Sequence, residues 1–490
     1  MSTTLPPAEL EVFRHRVSSV AEEMGAALRR AAFSTNIKER LDYSCAVFDG
    51  HGRLVAQAAH IPVHVGALEA SVAAALAAHP DLSPGDVVVL NDPFRGGSHL
   101  PDLTTVSVVA VEGGRGPVAI LATRAHHADV GGAEPGSMPM ARDLHGEGVV
   151  VPPVLLQAAG EVRGDIMALI AANSRSPEER RGDLDAQLAT HRIGEERCRQ
   201  LLDSGPEPFR ARVKALLAYC ARRADAGLEA LPDGAFDFAD VLDDDGRGDG
   251  PVTIRVRVTL EGPRLTADFE GTAPEVASSL NAPVAVTTSA VYYVVACLLG
   301  DTPISHGTFH GVEVRVPRGT VLNPRRPAPV AGGNVETSQR VVDVMMGALA
   351  QVAPTQIPAA SQGTMNNLMV GGPSPGGSTF TYYETMGGGA GGGPRRPGAA
   401  AIQVHMTNTR NTPVEALEAA YPMRILRYER RRGSGGDGRH PGGDGLERAI
   451  EFLSPARVTL LTGRRATSPW GLAGGRDGAR GENILIRDGR

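Results

Sequence analysis

Lysine is nearly absent from this chain. Of its 49 basic residues only Lys38 and Lys214 are lysines, which leaves 47 arginines. A P-loop requires G-x-x-x-x-G-K-[ST], and here Ile37 and Val213 precede the two lysines, so a Walker-type ATPase is excluded on this subunit. Cysteine is scarce as well. Cys45, Cys198, Cys220 and Cys297 lie far apart with no C-x-x-C pair, which argues against a zinc cage or a disulfide framework and fits a reducing compartment. There is no excess of positive charge: 49 basic residues stand against 55 acidic ones, a net of −6. A phosphate-neutralising surface is therefore not expected, and with it no nucleic-acid partner. The first residues, MSTTLPPAELEVF, lack a basic segment followed by an apolar one, the layout of a secretory signal. The nearest approach to a membrane span, 282–300, opens with Pro283 and carries Thr287, Thr288 and Ser289. It reads as a buried helix. No G-x-S-x-G elbow occurs. These absences predict a cytoplasmic protein without membrane contact.

Glycine (60) and proline (36) make up about a fifth of the 490 residues, against a usual ~12%, so turns and loops should be abundant. Helical spacing of apolar residues predicts helices at 8–33, 66–78, most of 161–230, 282–300 and 335–353. YSCAVFD and RLVAQA flank Asp49-Gly50-His51-Gly52 as a hairpin, and short strands are expected at 86–90, 103–111, 117–124 and 312–316. A second hairpin turns at Glu261-Gly262-Pro263. The pattern predicts an α+β fold of mixed helices and mostly antiparallel sheets. Two closely packed regions are expected, 1–235 with the chemistry-bearing loops and 236–490 with glycine-rich ones.

Two segments carry chemistry: NDPFRGGSHLPD (91–102) and RAHHADVGG (124–132). If the strands at 103–111 and 117–124 form an antiparallel hairpin, the start of one lies beside the end of the other. His99, Asp102 and the pair His126-His127 then meet with no long-range assumption. Two imidazoles and a carboxylate suit Mn²⁺, Fe²⁺ or Zn²⁺ and leave positions open to water or substrate. Adjacent residues of an extended chain point to opposite sides, so one of His126 and His127 is expected to bind. The other would orient a carboxylate or contact substrate. The remaining histidines, His60, His64 and His191 among them, take the ordinary reading of structural or solvated residues. Cys45 reads as core. Gly387-x-Gly389-x-x-Gly392 and Gly433-x-Gly435-x-x-Gly438 match a dinucleotide fingerprint only formally, and the glycine-dense spans 387–393 and 433–445 read as flexible loops. Arg430-Arg431-Arg432 reads as a solvated face and Asp243-Asp244-Asp245 as a turn. GGNVETSQR (332–340) and HMTNTRNTP (405–413) offer amides and hydroxyls that either line a pocket or cap loops.

FSTNIKERLDYSCAVFD, IPVHVGAL, GDVVVLNDPFRGGSHLPDLT, RAHHADVGGAEPGSMP, GGNVETSQRVVDVMMGALAQ and HMTNTRNTPVEALE follow one another along nearly the whole chain. In these segments the chain resembles the hydantoinase B/5-oxoprolinase family, which includes the acetone carboxylase large subunit and N-methylhydantoinase subunits. The resemblance implies a hetero-oligomer with a hydantoinase A-type, ATP-binding partner that phosphorylates the substrate's carbonyl oxygen. It also implies a divalent metal held by a His-x-x-Asp pair, here His99 and Asp102, and a later histidine, His126 or His127. Asp129 and Asp92 are candidates for orienting a ligand or moving a proton. Arg95, Gly96 and Gly97 are candidates for meeting the transferred phosphate, with Arg95 as a plain surface arginine equally open. The activity implied is ATP-dependent hydrolysis of a cyclic amide, with ketone carboxylation or a metal-stabilised scaffold as alternatives. Family members end in a glycine-rich tail after GLAGG. This chain stops at Arg490, so a shortened tail is expected.

Overall fold

A computed structural model describes residues 5–487 except 59, 112–115, 375, 376 and 378. The chain opens on α1 (Pro7–Ala31), whose Phe13, Val17, Val20, Met24 and Leu28 recur every three or four residues and are all buried. Each such side chain contributes roughly 1.5–3 kcal/mol by leaving water. A single turn, α2 (Thr35–Lys38), follows, with the Ser34 hydroxyl accepting the Ile37 N–H. The predicted hairpin is β1 (Tyr43–Asp49) and β2 (Leu54–Gln57), and α3 (Ala67–Ala78) follows it. Then come β3 (Val87–Leu90), β4 (Asp102–Val109), β5 (Ala119–His126), β6 (Val154–Ala158) and β7 (Glu161–Val162).

These seven strands form one antiparallel sheet in the order β2-β1-β5-β4-β3-β6-β7. Alternation across β1 explains how it is covered on both faces. Cys45 and Val47 join the core with α1, whereas Ala46 and Phe48 join the core with α3. The stretch 161–230 supplies α4 (Gly164–Ala172), α5 (Pro177–Leu201) and α6 (Pro206–Glu229). Polar as it is, α5 buries Leu184, Leu188 and His191. His191 spans two hydroxyls of β4, Thr105 and Ser107, each at 2.8 Å.

The second half begins with β8 (Gly234–Leu242), β9 (Val252–Glu261) and β10 (Arg264–Asp268), continues through α7 (Val284–Leu299), and reaches β11 (Val312–Arg315) and α8 (Ser338–Leu349). Along β9 buried and exposed residues alternate, and its apolar face packs on α8. The sheet order is β11-β10-β9-β8, with β11 parallel to β10. Among the described residues no helix is long and apolar enough to cross a membrane, and α7 is a buried helix of the core. The remaining elements are β12 (Asn367–Pro373), β13 (Thr379–Glu384), α9 (Val414–Ala420), β14 (Met423–Arg431), β15 (Gly445–Phe452) and β16 (Arg457–Leu461). They make a three-stranded sheet, β13-β12-β16, and the hairpin β14-β15. The fold is α+β with mostly antiparallel sheets, as the sequence pattern predicts.

Several details differ from the sequence reading. The helix expected at 335–353 starts as α8 only at Ser338, because residues 333–337 wind as a wider π-helical turn with all five residues buried. A short helix, α9, stands in a span read as strand and loop. The glycine-dense spans do not behave as loose loops. The Gly443 N–H donates to the Ala390 carbonyl and the Gly398 N–H to Pro441, each at 2.9 Å. A Cβ on Gly391 would collide with the Ala359 carbonyl. Glycine is dense here because backbones lie against each other, and that has the same sequence signature as flexibility.

Candidate metal centre

Strand register builds the site. Asp102 opens β4 directly opposite His126, the last residue of β5. His99 stands one tight turn earlier, where the Asp102 N–H donates to the His99 carbonyl at 3.1 Å. Asn91 fixes the loop between β3 and β4. Its amide donates to the Leu100 and Val149 carbonyls at 2.8 and 3.0 Å, and its oxygen accepts the Val151 N–H at 2.7 Å.

Three donor atoms converge. Asp102 Oδ1 lies 3.1 Å from His99 Nε2 and 3.3 Å from His126 Nδ1. The three residues are at most 2% exposed. Ligand atoms ~2.0–2.2 Å from one ion are separated by roughly 3.0–3.5 Å, so the observed spacings fit a shared cation. The hydrogen bonding points the same way. The Ala331 carbonyl, 3.2 Å from His99 Nδ1, accepts only, so Nδ1 carries the proton and Nε2 presents a lone pair to the carboxylate. Asp102 Oδ1 is buried without a hydrogen-bond partner, 3.1 Å from the His99 Nε2 lone pair. Two such acceptors facing each other in a dry site require positive charge between them. His99, Asp102 and His126 therefore meet the requirements of a divalent-ion site.

The electrostatics favour ligand forms. Burial pushes the His126 and His64 imidazoles toward the neutral state, which is the state that binds metal. For Asp102 burial works against the carboxylate. The His99, His126 and His64 imidazoles packed around it outweigh this and hold the group well below the ordinary carboxylate range.

The other predicted residues separate. His127 points to the opposite side, where its Nε2–H donates to Gln187 Oε1 at 3.0 Å, and burial lowers its pKa to about 4. The structure thus brings His126, not His127, to Asp102. Asp129 accepts N–H groups from Gly131, Gly136 and Arg175 and pairs with the Arg175 guanidinium at 2.9 Å. Asp92 accepts the Phe94 N–H and pairs with Arg326 at 2.7 Å. Both carboxylates brace loops instead of joining the triad. Arg95 is exposed, and the N–H groups of Arg95 and Gly97 both donate to the Asp92 carbonyl at 2.9 and 2.8 Å. Those two N–H groups are therefore engaged inside the loop.

Neighbouring residues were not foreseen. His64, read as an ordinary histidine, places Nε2 3.3 Å from Asp102 Oδ2, while its Nδ1 meets Ser44 Oγ at 2.8 Å. Ser98 donates to the same Oδ2 at 2.6 Å. From the second half Tyr383 stacks on His126, with centroids 4.5 Å apart, and its hydroxyl donates to Asn367 Oδ1 at 3.1 Å. Arg40 covers the same ring at 4.7 Å. Asn334, on the π-helical turn, sets Nδ2 3.2 Å from His99 Nε2. Glu147 accepts the Val330 and Ala331 N–H groups at 3.0 and 2.9 Å, which fixes the carbonyl that orients His99. Of these residues Asn334 alone lies in a segment read, through its amides, as lining a pocket or capping loops, GGNVETSQR.

Known proteins resemble the chain along its whole length. The family model described as Hydantoinase B/oxoprolinase matches residues 6–490. 5-Oxoprolinase 1 of Arabidopsis thaliana is 40% identical over 98% of this chain but only 39% of its own length. The chain thus spans about two fifths of that relative. Uncharacterized protein MJ0963 of Methanocaldococcus jannaschii is 37% identical, covering 98% of this chain and 85% of the relative. Among solved structures, the ATP-dependent caprolactamase from Pseudomonas jessenii superimposes with a TM-score of 0.90 at 27% identity, over 99% of this chain and 88% of that one.

Proposed function

The chain belongs to the hydantoinase B/oxoprolinase family, and from that premise we propose that it is the metal-bearing subunit of an ATP-dependent cyclic-amide hydrolase. In this reading a hydantoinase A-type partner phosphorylates the carbonyl oxygen of a lactam or hydantoin, and this chain completes ring opening. The observation that carries the reading is the buried, uncompensated contact between Asp102 Oδ1 and His99 Nε2, in a chain without a P-loop.

His99, Asp102 and His126 would hold the ion. When bound, a divalent ion such as Mn²⁺, Zn²⁺ or Fe²⁺ supplies positive charge to a carbonyl or phosphoryl oxygen and lowers the pKa of water. The chain's own residues do the positioning. Ala331 fixes the His99 tautomer, the face of Tyr383 holds the His126 ring, and Ser98 with His64 orients the carboxylate through its second oxygen. Burial of His99, Asp102 and His126 keeps bulk water from the ligand atoms, which strengthens their interaction with a bound ion. Phosphorylation of the amide oxygen removes the resonance that protects the carbon. Water adds there, the ring C–N bond breaks with the nitrogen leaving as a protonated amine, and a second water hydrolyses the resulting acyl phosphate to carboxylate and phosphate.

The test is reconstitution with the partner subunit and a panel of lactams, hydantoins and ketones, with ATP and several divalent ions. ATP-dependent ring opening that His99→Ala abolishes while the complex still assembles is the expected result. Bicarbonate-dependent turnover of a ketone, with no lactam opened, would replace hydrolysis by carboxylation. Full activity of His99→Ala would leave the triad a structural element.

A further inference from the structure

We propose that Asn334 is a further ligand of the His99–Asp102–His126 site, its amide oxygen turning onto the ion in the place where its N–H group now sits. This rests on reading the triad as a metal site. The His99 tautomer is set by the Ala331 carbonyl, so the Nε2 lone pair faces Asp102 Oδ1 at 3.1 Å. The hydrogen that the chain offers this lone pair is the Asn334 amide N–H, 3.2 Å away. An ion that takes the lone pair leaves that N–H without an acceptor and facing positive charge. The other end of the same amide is already without a partner: Asn334 is 4% exposed and its Oδ1 makes no hydrogen bond.

The two ends of a carboxamide are nearly equal in size, so a half-turn about the last side-chain torsion exchanges them without backbone movement. The exchange sets an oxygen 3.2 Å from His99 Nε2, beside spacings of 3.1 and 3.3 Å for the other pairs. A neutral amide oxygen suits hard and borderline divalent ions, and it relieves two unfavourable contacts at once.

The surrounding backbone is built to leave only this side chain free. Glu147 holds the Val330 and Ala331 amides, and the Ser338 hydroxyl donates to the Asn334 carbonyl at 2.7 Å. A Cβ on Gly333 would collide with the Asn281 carbonyl, so the turn sits as close to that strand of backbone as glycine allows. The π-helical turn then aims Asn334 at the triad and Glu336 away from it, toward Asn367 Nδ2 at 2.8 Å.

The full chain, stripped with chelator, is titrated with Mn²⁺, free ion being read by electron paramagnetic resonance, and with Co²⁺, read by visible absorption. Wild type is expected to bind one equivalent. Asn334→Ala should bind about 10–100-fold more weakly, with a changed Co²⁺ band shape as one ligand is lost. The nearly isosteric Asn334→Asp, which carries the test should the alanine variant misfold, should bind more tightly than wild type with a Co²⁺ spectrum close to it. Unchanged affinity and spectrum in Asn334→Ala, or binding by Asn334→Asp no tighter than wild type, overturns the proposal and leaves the triad standing. A wild-type chain that binds no ion, or His99→Ala binding as well as wild type, removes the metal reading itself and the proposal with it.

Discussion

Replacing Glu147 with glutamine separates two roles of one buried carboxyl. Burial drives the Glu147 pKa from an ordinary 4.5 up to about 8, although the Val330 and Ala331 N–H groups pull it down. A group whose pKa is higher in the folded than in the unfolded chain stabilises fully below its unfolded value. That stability is lost as pH rises through the folded value. The window is therefore pH 4.5 to about 8, and the loss across it amounts to about 5 kcal/mol at most, at 1.36 kcal/mol per unit. Glutamine does not ionise and lacks this slope. It does, however, turn an NH₂ toward one of the two backbone N–H groups, which costs ~1–3 kcal/mol for the donor left unpaired. Glu147→Gln should thus melt below wild type at pH 5 and match or exceed it near pH 8.5. Urea or thermal unfolding midpoints of both proteins across that range provide the assay, since titrations common to both cancel. Curves that keep a constant offset from pH 5 to 8.5 would show that this carboxyl does not hold a displaced proton, and the reasoning would fail.

Asp102→Asn removes the only charge among the three converging ligands. Turnover of the reconstituted complex should fall at least ~10²-fold and bound metal should drop on elemental analysis. His127→Asn breaks only the contact to Gln187; we expect metal content unchanged, activity within a few-fold, and a stability loss of ~1 kcal/mol by thermal melting. Asp129→Asn weakens three N–H contacts and the Arg175 pair, so ~1–3 kcal/mol of stability should go while the ion stays. Dialysis against chelator should abolish ring opening, and restoring ion at a hundredfold above Kd should return ~2.7 kcal/mol of stability, seen as a higher melting temperature.

What the sequence made legible was local. The hairpin of β4 and β5 needs only alternation and a short connection, and its register alone sets Asp102 against His126. Opposite facing of neighbours in an extended chain also explains why His127 is diverted to α5. His64 was passed over because it enters from a short turn between β2 and α3, and no local pattern ties that turn to Asp102. Asn334 lies 235 positions from the histidine it touches. Its segment was singled out for its amides, but nothing along the chain says which imidazole they meet. Tyr383 and Glu147 reach the centre in the same way, through packing between the first sheet and the second half. Density of glycine misled for a different reason: a residue without Cβ serves a loose loop and a tight backbone contact equally well.

The depth of the triad has a kinetic corollary. An ion seated among residues at most 2% exposed exchanges only as fast as the surrounding shell opens, however weakly it binds. Stripping and reloading the folded chain therefore wait on movement of the π-helical turn and the Tyr383 ring that pack against the triad. The element found in purified protein will accordingly be replaced only slowly by a metal added later.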